Sequence, residues 1–103
     1  MVSVKLPINK ADLAERKPLA VAVNDKKVML VMIDGRIYAL DHACSHRGGP
    51  LEKGTLTDYM IECPWHGALY DVRTGAGDPR TAWGPGQTVY NVTEKGGELW
   101  IEL

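Results

Sequence analysis

The chain has 103 residues, 45% of them apolar, and its 12 basic side chains nearly balance 13 acidic ones. This length predicts a single domain over residues 1–103 with its own core, and the interspersed charges argue against a nucleic-acid-binding surface. No run approaches the roughly 18 apolar residues that span a bilayer, and the first residues do not form a secretory leader. Because both cysteines lie in one motif, no disulfide framework indicates an oxidising compartment, and we expect a cytoplasmic protein.

Short runs rich in β-branched and aromatic residues predict strands along the whole chain. In order, they cover residues 2–6, 19–23, 28–33, 37–40, 59–62, 68–72, 89–93 and 99–103. Turn residues such as Asp34 and Gly35 separate them, and one helical turn is predicted at residues 10–16, with Asn9 as its cap. The expected fold class is all-β. Glycine and proline concentrate at residues 47–54 and 75–86, which we expect to be the long loops that carry a site.

Two short motifs combine thiol and imidazole side chains. Cys44-Ser45-His46 reads C-x-H, and Cys63-Pro64-Trp65-His66 reads C-x-x-H after sixteen intervening residues. Four such ligands could hold a tetrahedral zinc ion, although structural zinc sites usually pair like ligands as C-x(2–4)-C and H-x(3–5)-H. They could also hold a [2Fe–2S] core, because two thiolates neutralise its oxidised +2 charge and so make reduction easier than four thiolates would. His42, although it forms H-x-C with Cys44, is assigned an ordinary structural role.

The residues around these motifs extend the pattern. The segment Cys44-Ser45-His46-Arg47-Gly48-Gly49-Pro50-Leu51, then Cys63-Pro64-Trp65-His66-Gly67-Ala68-Leu69-Tyr70-Asp71 with Thr74-Gly75, closely resembles the Rieske [2Fe–2S] signature. Within that family the chain is most similar to small Rieske-type ferredoxins, the electron-carrier components of aromatic-ring-hydroxylating dioxygenase systems. The resemblance implies the Rieske fold, an antiparallel β-sandwich into which a cluster-binding lobe is inserted at about residues 42–72.

The resemblance also implies the ligands and the partners. One [2Fe–2S] cluster per chain would be held by Cys44 and Cys63 on one iron and by His46 and His66 on the other, with no catalytic residue. The expected partners are a flavoprotein reductase as donor and a terminal oxygenase as acceptor, both transient, with neither nucleic acid nor membrane involved. The loop surface expected to meet them is formed by four residues: Arg47, Leu51, Pro64 and Trp65.

Residues beside the ligands carry expectations about the reduction potential. Backbone N–H groups of Gly48, Gly49 and Gly67 are candidates to donate toward sulfur, since glycine lets the backbone approach closely. High-potential relatives place a serine and a tyrosine hydroxyl against cluster sulfurs, and the matching positions here are Ala68 and Tyr70. With one hydroxyl of the two, we expect a potential near the low end of the Rieske range of about −150 to +300 mV.

Two alternatives from other classes stay open at the level of sequence. One is a Rieske small subunit of a multisubunit oxidoreductase, whose partner chains a single sequence does not reveal. The other is a zinc-stabilised interaction module built on the same four ligands. A complete oxygenase is disfavoured, because its mononuclear iron needs two more histidines and a carboxylate, and the chain has three histidines in all.

Overall fold

Antiparallel strands are the main regular structure of the described residues. The computed structural model describes residues 3–43, 49–65, 67–78, 80 and 86–103. Within these residues two short 3-10 turns, Lys10–Asp12 and Leu51–Lys53, accompany ten strands. The strands are β1 (Ser3–Asn9), β2 (Leu19–Val23), β3 (Lys26–Ile33), β4 (Arg36–Asp41), β5 (Thr55–Thr57), β6 (Met60–Glu62), β7 (Leu69–Asp71), β8 (Val89–Tyr90), β9 (Val92–Lys95) and β10 (Glu98–Glu102).

The strands form three antiparallel sheets. A central sheet has the order β2-β3-β4-β8, an outer sheet has β1-β10-β9, and a small sheet has β5-β6-β7. Tight hairpins connect neighbours where the sequence supplies positive φ: Asp34 at 53° and Gly35 at 80° link β3 to β4. Two consecutive left-handed residues form the turn whose twist matches paired strands, and Asp-Gly is a favoured sequence for it. This register pairs Ile33 with Arg36.

Strand β3 separates two hydrophobic cores. Val28 and Leu30 face a core shared with the outer sheet, and the alternate residues Met29, Val31 and Ile33 face a second core. Because side chains alternate across a strand, burial on both faces explains why β3 reads as an almost unbroken apolar run. The second core also includes residues of the small sheet and the turn that follows it, so this sheet packs on the central one.

The expected all-β class is confirmed, and strand 19–23 has the predicted bounds. The predicted strand 89–93 is wrong as a single element: it divides at Asn91 into β8, in the central sheet, and β9, in the outer sheet. Strand β5 was not predicted, and the helical turn expected at 10–16 is only the 3-10 turn Lys10–Asp12. There, Asp12 Oδ2 accepts a hydrogen bond from the Asn9 N–H at 2.9 Å. No helix in the described part of the chain is long and apolar enough to cross a membrane.

Candidate metal centre

The second ligand motif lies between β6 and β7, in the small sheet. Cys63 follows β6 directly, and its side chain is fully buried among Ile61, Ala68 and Tyr70. The other three predicted ligands, Cys44, His46 and His66, lie outside the described residues, as does Arg47 of the expected contact surface. The structure therefore gives the position of one of the four predicted ligands, the sulfur of Cys63.

A tight backbone turn sets the position of Cys63. Its N–H donates to the Ala68 carbonyl at 2.8 Å, and its own carbonyl accepts from the Gly67 N–H at 3.0 Å. These two bonds close the chain between β6 and β7 into one loop with a fixed entry and exit. The Gly67 N–H thus bonds to a carbonyl oxygen, and the expectation that it donates to sulfur is wrong.

The first motif loop meets the second at the Cys63 sulfur. Gly49 is buried, and a Cβ placed on it would lie 2.8 Å from Cys63 Sγ and 3.0 Å from Trp65 Cγ. Only a residue without a side chain brings the backbone this close, as expected for Gly49. A buried thiolate ligand needs backbone dipoles and a metal charge around it. The Cys63 sulfur fits that requirement, because it is enclosed and the first motif loop lies beside it. The donor set of two thiols and two imidazoles fits a Rieske cluster.

The base of the first loop is closed by backbone pairing. The Leu51 N–H donates to the His42 carbonyl at 2.8 Å, and Ala43 forms an antiparallel bridge with Pro50. His42 Nδ1 lies 3.2 Å from Glu52 Oε1, a pairing that supports the structural role assigned to this histidine. The two ends of the first loop are therefore paired with each other, and the C-x-H motif lies between them in the sequence.

The predicted contact surface is partly wrong. Leu51 is fully buried in the second core, because the 3-10 turn Leu51–Lys53 directs it inward. Pro64 and Trp65 are exposed, and Trp65 has 58% of its surface accessible, the largest value among the exposed large apolar residues in the described chain. One face of the indole packs on Gly49 and the remainder faces solvent.

A charged turn follows the second motif. The Arg73 guanidinium donates to Asp71 Oδ2 at 2.8 Å and Arg73 N–H donates to Asp71 Oδ1 at 2.8 Å. The side-chain bond from Arg73 holds the pKa of Asp71 below its ordinary value, against the opposing effect of partial burial. Arg73 also lies 4.2 Å from the centroid of the Tyr59 ring. These contacts fix the Asp-x-x-Thr-Gly turn of the motif beside the small sheet.

A residue that the motif search missed holds the entrance of the first loop. Gln87 is buried, and its Nε2 donates to the carbonyls of Asp41 at 3.0 Å and Ala43 at 2.7 Å, directly before Cys44. The only sequence signal was a polar residue between Gly84-Pro85-Gly86 and a strand, which is usually a solvated loop position.

An all-β domain in which two Cys/His loops meet at a buried sulfur defines a class of small metal-centre proteins. Residues 4–90 match the Rieske [2Fe-2S] domain, and the chain belongs to that family, which supports an iron–sulfur cluster and confirms the resemblance seen in the motifs. The ferredoxin component of the p-cumate 2,3-dioxygenase system of Pseudomonas putida is 31% identical over 94 residues, covering 89% of this chain and 79% of that protein. Apoptosis-inducing factor 3 of Mus musculus is 49% identical over 49 residues. Those residues cover 48% of this chain but only 8% of that much longer protein.

Solved structures share the whole fold. The ferredoxin of carbazole 1,9a-dioxygenase from Nocardioides aromaticivorans IC177 superposes with a TM-score of 0.84 at 30% identity, covering 98% of this chain and 97% of that one. A ferredoxin solved in complex with the oxygenase of carbazole 1,9a-dioxygenase gives a TM-score of 0.83 at 27% identity, covering 97% and 92%. The similarity therefore extends from the motif loops to the surrounding sheets.

Proposed function

We propose that this chain is a one-electron carrier in which four residues hold one [2Fe–2S] cluster: Cys44, His46, Cys63 and His66. When bound, such a cluster accepts and releases a single electron at a potential raised by its histidine ligands. The chain's own part is to keep the loops rigid, bury the cysteine side of the site and present the exposed loop surface to partners. No substrate bond is made or broken, so the chain is not itself an enzyme.

The contact between the two motif loops carries this proposal. Gly49 of the first loop lies against Cys63 Sγ of the second. Strands β5 and β6 separate these two residues along the chain. Two Cys/His motifs on loops that meet at a buried sulfur can supply ligands to one centre. Family membership over residues 4–90 then favours a [2Fe–2S] cluster over zinc.

Electron paramagnetic resonance of the dithionite-reduced protein, with iron and zinc measured on the same sample, tests the cofactor. We expect two irons per chain and a signal whose average g value lies below that of an all-cysteine cluster, because imidazoles replace two thiolates. A protein that is silent in this experiment and contains one zinc would instead be the interaction module, and the carrier proposal would fall.

The three histidines supply a matched test of the ligands. His46→Gln and His66→Gln should each abolish the histidine-type signal, because each removes one imidazole. His42→Gln should retain it, because His42 already pairs with Glu52 at 3.2 Å. Loss of the signal in His42→Gln together with its retention in His46→Gln would reassign the ligands to the H-x-C pair.

The proposed partners are a flavoprotein reductase as donor and a terminal oxygenase of an aromatic-ring dioxygenase system as acceptor, in the cytoplasm. The p-cumate system relative and the carbazole oxygenase–ferredoxin complex support this assignment. A Rieske small subunit of a multisubunit oxidoreductase is not favoured by these relatives. Electron transfer between such partners uses small, transient interfaces, which suit the exposed Pro64 and Trp65.

Trp65 tests the docking surface. Trp65→Ala should slow oxidation of the reduced chain by a terminal oxygenase about tenfold, because tryptophans that become buried on docking are frequent interface anchors. Leu19→Ala is the matched control, since Leu19 is also exposed, at 40%, but lies on edge strand β2. Stopped-flow absorbance measures both rates with the carbazole oxygenase as acceptor. Equal rates for both variants and the unmodified chain would place the docking surface elsewhere.

A further inference from the structure

A buried amide lies at the entrance of the first motif loop. Gln87 is 8% exposed and is the one buried polar or charged residue among those the structure describes. Its Nε2 donates to the carbonyls of Asp41 and Ala43, at 3.0 and 2.7 Å. Both N–H groups of the Gln87 side chain therefore donate to residues at the entrance of the first loop. Cys44 follows Ala43 directly.

The backbone around the same residue contacts the turn that follows β7, the strand into which the second loop leads. The Gln87 N–H donates to the Gly75 carbonyl at 2.8 Å, and a Cβ on Gly75 would lie only 2.1 Å from the Gln87 carbonyl oxygen. Gly75 in turn donates to the Asp71 carbonyl at 2.7 Å, at the end of β7. The neighbouring Thr88 carbonyl accepts from the Asp41 N–H at 3.0 Å. One short segment therefore bonds both to the entrance of the first loop and to the turn after β7.

The chemistry of this contact requires a side chain with two hydrogen-bond donors. Carbonyl oxygens accept hydrogen bonds but cannot donate them, so two adjacent carbonyls can be joined only through a group with two donors. A side-chain NH₂ has both donors on one atom, whereas a carboxylate would repel the carbonyls and an apolar side chain would leave them without these bonds. Burial increases the cost of losing such bonds.

We propose that Gln87 is a positioning residue that locks the entrance of the first ligand loop to the turn that follows β7 of the small sheet, which also carries the second loop. This role rests on the proposed four-ligand centre, because only a shared centre requires the first loop to hold a fixed separation from that sheet. Loss of the amide should open the base of the first loop while leaving the rest of the central sheet intact. Any centre held between the loops would then be released faster and held less uniformly.

Native-state hydrogen exchange on Gln87→Met tests the lock without depending on a cofactor. Methionine is close to glutamine in size but has no donor. Exchange of the Asp41 and Leu51 amides should accelerate about 10- to 100-fold, the equivalent of two lost hydrogen bonds. Amides of β3 such as Leu30 should change less than twofold. Unchanged exchange at Asp41 and Leu51, or equal acceleration in β3, would overturn the proposal.

A second measurement keeps the test decisive if Gln87→Met does not fold. In the unmodified protein, a lock through Gln87 requires the amides of Asp41, Leu51, Gly75 and Gln87 to open together. Their exchange rates should therefore show the same dependence on low concentrations of denaturant. Independent opening of the Asp41 and Gly75 amides would overturn the proposal.

The loaded protein supplies the readout that a merely structural role would not change. In Gln87→Met we expect broader electron paramagnetic resonance lines and about tenfold faster loss of visible absorbance to a chelator. Asn91→Leu, which removes an exposed amide 3.4 Å from Glu102, is the matched control and should leave both unchanged. Unaltered lines and loss rate in Gln87→Met would overturn the positioning role. If the Asp41 and Leu51 amides open more slowly in the unmodified protein than in Gln87→Met but the unmodified protein binds no cluster, the positioning role stands and the electron-carrier proposal fails. The two proposals therefore fail separately.

Discussion

Replacing Gly49 by alanine should disturb the junction of the two motif loops. The added Cβ would lie 2.8 Å from Cys63 Sγ, roughly 0.7 Å short of the usual contact distance of about 3.5 Å. Overpacking of this kind lowers the free energy of unfolding by about 1–3 kcal/mol. The reduced conformational freedom of the unfolded chain offsets up to about 1 kcal/mol of that loss. We expect a net loss of about 1–2 kcal/mol, equivalent to about 5- to 30-fold faster release of the metal centre.

The rate at which a chelator bleaches the visible absorbance measures this effect, with far-ultraviolet circular dichroism reporting the fold. Gly35→Ala is the control: φ at Gly35 is 80° and no atom lies within 4 Å of the added Cβ. It should therefore lower thermal stability through backbone strain without changing the bleaching rate. Gly49→Ala should accelerate bleaching in a Trp65→Ala background as well, because the contact of the added Cβ with Cys63 Sγ is shorter than its contact with Trp65. Bleaching of Gly49→Ala at the unmodified rate would refute the packing argument.

Three further predictions concern residues around the centre. Tyr70→Phe should lower the midpoint potential by about 40–80 mV in a redox titration, the equivalent of a hydrogen bond that favours the reduced state by about 1–2 kcal/mol; an unchanged midpoint would remove Tyr70 from that role. Asp71→Asn should reduce the free energy of unfolding by up to about 1 kcal/mol at neutral pH. Because Arg73 lowers the pKa of Asp71, this difference should be present above about pH 3.9 and vanish as the pH falls through the lowered pKa, and a pH-independent difference would contradict it. Leu99→Ala and Ile61→Ala should each cost about 2–5 kcal/mol of unfolding free energy, but only Ile61→Ala, in the core that contains Cys63, should accelerate chelator bleaching.

The fold class could be predicted from local patterns. Alternating apolar residues and Asp-Gly turns depend on near neighbours, and the bounds of strand 19–23 follow from them. The break at Asn91 could not be predicted, because a single Asn between β-branched and aromatic residues is a weak turn signal. It arises because the chain passes from the central sheet to the outer one, where the Asn91 carbonyl accepts from the Glu102 N–H at 3.0 Å.

The errors at the site have a different physical origin. Leu51 was expected on the surface because it follows the first motif, but the 3-10 turn that begins at this residue directs it into the second core. Gln87 was missed because its carbonyl partners lie 46 and 44 residues away, at Asp41 and Ala43. Local sequence predicts which residues can act as ligands, whereas the positions of the loops that carry them depend on contacts between distant segments.

The two motif loops are attached to different sheets, and this arrangement explains the position of the site. The first loop continues β4 of the central sheet, and the second joins β6 and β7 of the small sheet. Two sheets that pack through side chains alone can slide by small amounts, since hydrophobic contact is not directional. Hydrogen bonds are directional, and those of Gln87 and Gly75 join the entrance of the first loop to the end of β7 in the small sheet at 2.7–3.0 Å. A centre that exchanges electrons works best when its ligands move little between oxidation states, so directional bonds are most useful at this junction.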